Sequence, residues 1–316
     1  MILTLNSIKI NTLANKLLAR PPPELLMVFI TINFGGVFMH TYFEKMKIDM
    51  ELRGMSQATQ EAYLRRSMLF VSDLKKNITE IISEDIRNYI IYLKDVKKLS
   101  FGTINAYISA IKFFFYVTLE KDWDSRKVPR MRGYKSFPAV LSKEEVFEII
   151  DSVKNIKHKV ILMTIYGAGL RVSEVVKLKP SDIDGKNFQI LVRQSKNKRD
   201  RYAILSQRNL DALRLYWKTC GKPMVWLFPG ANDGEHLNVK TVKNLVRNLK
   251  IKLNIHKNIS VHTFRHSFCT HLLESGVQIR YIQELMGHNS LKSTMRYTHM
   301  TSKAFMNIKS PLDEGR

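Results

Sequence analysis

From Thr41 to Lys121 apolar side chains recur at every third and fourth residue rather than every second, a spacing that admits helices and excludes strands. The clearest stripe joins Ile104, Tyr107, Ile108, Ile111, Phe114, Phe115 and Leu119, with Ser100 placed to cap its helix. Before it, Ser83 is expected to cap a helix that carries Glu84 and Asp85 in its first turn and Ile86, Tyr89, Ile90 and Leu93 on its inner face. Tyr63, Phe70, Val71 and Leu74 mark another, and Tyr42 to Leu52 a fourth. Four helices over residues 41–121 can close a small bundle, with the aromatic residues as its core.

A chain of 316 residues has room for about two domains. The second is expected at 142–316, because Ser142 and Glu145 spell a capping box ahead of Val146, Ile149 and Ile150. It reads as mostly helical except between Phe188 and Ile204, where FQILV and RYAIL are short strand-like runs around a basic turn. The expected fold is therefore mainly α: an N-terminal four-helix unit, then a mostly α domain with a small antiparallel β-sheet. Residues 122–141 break the periodicity and carry Arg126, Lys127, Arg130, Arg132 and Lys135 with Pro129, Gly133 and Pro138, which predicts a basic linker. Residues 1–40 fit neither domain. They hold the apolar run Leu25 to Met39, shorter than the ~20 residues a spanning helix needs. They are read as an atypical extension whose start lies upstream of the true one, with Met39 or Met46 as alternative starts.

Charge narrows the function. Lys and Arg total 51 against 28 Asp and Glu, a formal +23. At one phosphate per ~1.7 Å that would balance about a dozen base pairs of duplex. Nucleic acid is thus the leading partner, and a membrane is not expected. Cys220 and Cys269 are the only cysteines, which excludes a disulfide framework and a thiolate zinc cluster and suits a reducing compartment, the cytoplasm.

Three stretches carry candidate chemistry. In Tyr166 to Glu174 (YGAGLRVSE) two glycines end one helix and start the next. That puts Arg171 in a first turn, with Glu174 three residues on to orient its guanidinium. The hairpin turn from Arg193 to Arg201 packs five cations into nine residues, a density that self-repulsion disfavours unless an anion offsets it. Finally HTFRH places His262 and Arg265 on one helix face, and LMGHNS and MRYTH follow with His288 and Tyr297. A zinc site is not expected there, since HxxxH lacks the glutamate of a metalloprotease.

In that order these residues resemble the tyrosine recombinase family, the phage integrase and Xer-like site-specific recombinases, over roughly Thr41 to Pro311. The resemblance implies a sterile-alpha-motif-like core-binding domain followed by the integrase catalytic fold. It also implies six catalytic residues: Arg171, Lys196 (with Lys198 the lesser claimant), His262, Arg265, His288 and Tyr297. The implied activity is cutting and rejoining of double-stranded DNA through a 3′-phosphotyrosyl bond, with no metal, ATP or other cofactor. The protein would work as a homotetramer on two synapsed sites, would be monomeric or weakly associated off DNA, and would serve a phage or mobile element. Further cations expected on DNA are Arg199, Arg201, Arg130 and Arg132, together with Lys240, Lys243, Arg247 and Lys250, which share one face of a helix. The competing expectations are a type IB topoisomerase-like relaxing enzyme and a DNA-binding protein with a degenerate site.

Overall fold

The computed structural model describes residues 37–133, 139–193, 200–287 and 290–295. Its chain divides into two compact units, 1–135 and 136–316. The first contains α1 (Val37–Leu52), α2 (Gln57–Leu74), α3 (Ser83–Asp95) and α4 (Phe101–Phe113). Four helices share one core, in which Phe43, Phe70, Ile104, Ile111 and Phe114 are fully buried. Ser100 caps α4 as expected, accepting from the Thr103 amide at 3.3 Å. Ser83 does not cap α3: it is the first helical residue, and Asp85 reaches back to the Ile82 amide at 3.0 Å. The two acids that were expected to favour the dipole thus include the group that satisfies the free amide.

The stripe on α4 does not continue as a plain α-helix. Phe114–Thr118 forms a π-helical turn, and the Leu119 amide bonds to the Phe114 carbonyl at 2.9 Å. Neighbours on a regular helix point about 100° apart, so widening the turn lets both Phe114 and Phe115 enter the core. Phe43 stacks on Phe114 with ring centroids 5.1 Å apart, and Phe115 meets Phe70 edge to face.

Residues 122–133, the first part of the expected linker, lie against this first unit. Val128 is buried in its core, and Asn105 clasps Met131 by donating to its carbonyl and accepting from its amide, both at 2.9 Å. Three apolar side chains among the cations, Trp123, Val128 and Met131, supply the reason. Arg130 donates to the Ser109 hydroxyl at 2.7 Å, and Arg132 is exposed.

The second unit contains α5 (Lys143–Asp151), α6 (Ile156–Gly167), α7 (Val172–Val175), α8 (Gln207–Thr219), α9 (Val239–Lys252), α10 (Val261–Glu274), α11 (Ile279–Met286) and α12 (Leu291–Met295). The Ser142–Glu145 capping box opens α5, with both of its bonds present. The hairpin between Phe188 and Ile204 is present as β2 (Gln189–Val192) and β3 (Arg201–Ile204), antiparallel, with Val192 opposite Arg201. A two-residue strand, β1 (Ile183–Asp184), adds a third member in the order β1-β2-β3. It is too short for any periodicity to announce it. Helices α6 and α10 pack together, and Ile161, Leu162, Ile165 and Phe264 are fully buried in the core. Among the described residues no helix is long and apolar enough to cross a membrane. Most of the Leu25 to Met39 run lies outside them.

Candidate active site

The bend between α6 and α7 is made by Gly169, whose φ is +61° and whose missing Cβ would stand 2.4 Å from the Phe268 ring. Only glycine meets both demands. The bend leaves Arg171 as the N-cap of α7. Glu174, one turn on, takes the Arg171 amide on Oε2 at 2.8 Å and its guanidinium Nη1 on Oε1 at 2.7 Å. The orientation of Arg171 by Glu174 expected from the RVSE spacing is therefore present.

Two further guanidiniums reach the same carboxylate. Arg201, from the start of β3, donates Nη1 to Oε1 at 3.1 Å and Nη2 to Oε2 at 2.8 Å. Arg265, from the second turn of α10, brings Nη1 to 3.7 Å from Oε2 and is only 4% exposed. Burial by itself would raise the Glu174 carboxyl. The hydrogen bonds and charge of Arg201, the Arg171 amide and the charge of Arg265 outweigh it and hold the group at about 2. Glu174 is thus ionised at neutral pH, with three guanidiniums around one carboxylate.

The far side of this cluster is the C-terminal end of α11. Arg201 Nε donates to the Leu285 carbonyl at 3.1 Å, Arg265 Nη2 to that of Met286, and Arg171 Nη2 to that of Gly287 at 3.3 Å. Arg265 Nη1 also donates to the Gly169 carbonyl. Three consecutive carbonyls, which a helix end leaves without partners, thus take one arginine each.

His262 lies one turn before Arg265 and opens to solvent. The protein packed around its ring, and then the charges of Arg265, Lys243 and Arg171, hold its imidazole below the usual histidine range. Lys243, from α9, is therefore near this site. Lys240, Lys243 and Arg247 are exposed and Lys250 half-buried, while Val242, Val246 and Leu249 are buried, so α9 has the cationic outer side and apolar inner side that its spacing predicted.

Of the six candidate catalytic residues, Arg171 and Arg265 meet at Glu174, and His262 stands one helical turn before Arg265. Lys196, His288 and Tyr297 lie outside the described residues, as do Lys198 and Arg199. Arg201, grouped with the phosphate contacts from its sequence, turns inward instead. Along β3, Arg201 and Ala203 share the inner side while Tyr202 and Ile204 are exposed. At the other foot of the hairpin Arg193 donates to the buried Asp182 at 2.7 Å. Two of the five cations in that turn therefore have acids of their own.

The geometry is that of an anion site built on guanidiniums. Residues 139–304 match the phage integrase family. The chain belongs to that family. Residues 42–125 of this integrase-family protein match the N-terminal SAM-like domain of phage integrases. It is 39% identical to the Sinorhizobium fredii protein y4qK over 288 residues, 89% of this chain and 93% of that one. It is 34% identical to the tyrosine recombinase XerA of Pyrococcus horikoshii over 259 residues, 80% of this chain and 87% of that one. The crystal structure of the XerH site-specific recombinase bound to a palindromic difH substrate has the same fold. Its TM-score is 0.65 at 19% identity, covering 84% of this chain and 83% of that one. The integrase-family protein is a tyrosine recombinase.

Proposed function

We propose that this recombinase breaks and rejoins double-stranded DNA at a specific site with Tyr297 as nucleophile. The Tyr297 oxygen forms a bond to the scissile phosphorus, the bond from phosphorus to the 5′-oxygen breaks, and a 3′-phosphotyrosyl link and a free 5′-hydroxyl result. Arg171 and Arg265 fork onto the non-bridging oxygens, where a phosphoryl transition state needs charge balanced. His262 takes the tyrosyl proton, Lys196 gives one to the leaving oxygen, and His288 hydrogen-bonds the phosphate. Because the phosphodiester energy is kept in the covalent link the scheme uses no ATP, and because arginines balance the charge and a lysine protonates the leaving oxygen it calls for no metal. The observation that carries this reading is the convergence of Arg171 and Arg265 on one ionised carboxylate, beside a histidine held toward its neutral form.

In this reading residues 41–121 are a core-binding domain and 142–316 the catalytic domain. The active assembly is a homotetramer on two synapsed sites, and the setting is the cytoplasm of a cell that carries a phage or mobile element. Cations on α9, with Arg130 and Arg132, lie against the backbone of the duplex. The deciding experiment uses Tyr297→Phe, which keeps the ring and removes the attacking oxygen. With a nicked duplex that traps the intermediate, DNA binding persists and the covalent adduct disappears from denaturing gels. Adduct formed by the variant would show another residue to be the nucleophile.

A further inference from the structure

Arg201 has no part in the scheme above, yet each of its three guanidinium nitrogens donates a hydrogen bond. It forks onto both oxygens of Glu174 at 3.1 and 2.8 Å, its Nε holds the Leu285 carbonyl at 3.1 Å, and its side chain is 10% exposed. Among the described residues Arg201 alone forks onto both oxygens of Glu174, whereas Arg171 gives that carboxylate a single guanidinium nitrogen and Arg265 Nη1 stands 3.7 Å from it, so leaving the buried carboxylate for a phosphate would cost Arg201 the most. Glu174 is the carboxylate that orients Arg171 and stands beside Arg265. Leu285 begins the run of three carbonyls that Arg201, Arg265 and Arg171 take in turn. Arg201 also opens β3, five residues after Lys196 in the chain, and the carbonyl it holds lies three residues before His288.

We propose that Arg201 is a positioning residue for strand cleavage. It fixes Glu174 so that Arg171 and Arg265 converge, and it ties the hairpin that carries Lys196 to the end of the helix that leads to His288. This rests on the recombinase chemistry proposed above. Arg201 contributes nothing to holding DNA, and this separates it from a phosphate contact.

The test uses full-length protein and a nicked duplex bearing the sequence that the protein selects from a random oligonucleotide pool. With Arg201→Ala, adduct formation at saturating protein should slow roughly ten- to a hundredfold, the range for a misplaced catalytic group. Affinity and its salt dependence should not change. Arg201→Lys keeps the charge without the fork and should recover part of the rate. When the scissile phosphate is replaced by a neutral methylphosphonate, the deficits of Arg201→Ala and Arg171→Ala should narrow together, since the transition state then carries one negative charge fewer for the guanidiniums to balance.

A log-log salt slope shallower by about 0.9 with an unchanged rate at saturation would make Arg201 a phosphate contact and overturn the proposal. So would equal deficits on both substrates, which would mark a merely structural role. Absence of any Tyr297-dependent adduct from the unsubstituted protein would instead overturn the recombinase chemistry. The salt slope would then still decide whether Arg201 touches phosphate.

Discussion

Arg201 crosses the backbone at Gly287 so closely that a Cβ there would stand 3.0 Å from its Cδ and Nε. Gly287 also has a φ of +58°, which L side chains rarely adopt. Gly287→Ala should therefore cost about 1–2 kcal/mol in urea unfolding, from backbone strain, and should slow adduct formation by pushing Arg201 off Glu174. An unfolding midpoint and a cleavage rate both equal to those of the parent would remove Gly287 from this role.

The carboxyl of Glu174, held at about 2, predicts a stability that depends on pH. Its folded value lies below that of the unfolded chain. The contribution is therefore complete above about 4.5 and is lost as pH falls toward 2. The shift corresponds to stabilisation on the order of 3 kcal/mol. Glu174→Gln should lower the melting temperature at pH 7, and its gap from the parent should shrink progressively as pH falls from about 4.5 toward 2. A gap that stays constant over that range would show that ionised Glu174 does not stabilise the fold.

His262 should titrate below 6.5 in an NMR experiment on its ring Cε1 proton, because desolvation and three neighbouring cations disfavour imidazolium. Lys243→Ala removes one of those cations and should move the midpoint upward. Single-turnover cleavage limited by neutral His262 would rise with pH through a midpoint below 6.5. A midpoint above 6.5, or one that Lys243→Ala lowers, contradicts the arrangement of charges described for this site.

Lys196 and Arg171 should respond differently to the leaving group. A 5′-bridging phosphorothiolate departs as a thiolate without needing a proton, so it should restore much of the cleavage lost in Lys196→Ala. It should do little for Arg171→Ala, whose charge acts on the non-bridging oxygens. Comparable recovery in both variants would end the assignment of Lys196 as the acid.

Removal of the exposed cations Lys240 and Arg247 on α9 together should flatten the log-log salt slope of DNA binding by about 1.8, near 0.9 for each phosphate released. Filter binding from about 50 to 200 mM salt measures it. An unchanged slope would leave these residues as solvated surface.

Local chemistry in the sequence already determined much of this protein. The three- and four-residue spacing of apolar side chains settled the helices of the first unit, and Ser100 and Ser142 settled where two helices begin, because a cap acts over three residues. The same is true of Arg171 and Glu174, which meet within one turn. At Ser83 the local signal pointed to the right helix but the wrong capping group, since Asp85 competes for the same amide. The π-helical turn at Phe114–Thr118 was decided by the core, which had two adjacent phenylalanines to bury. Residues 122–133 look like a linker by charge, but Val128 and Met131 bind them to the first unit. Arg201 shows the limit most clearly. In sequence it is one cation among five in a basic turn, and its partners, Glu174 and Leu285, lie 27 and 84 residues away. Whether it faces a phosphate or a buried carboxylate depends on which groups packing brings within 3 Å, and no local pattern carries that information.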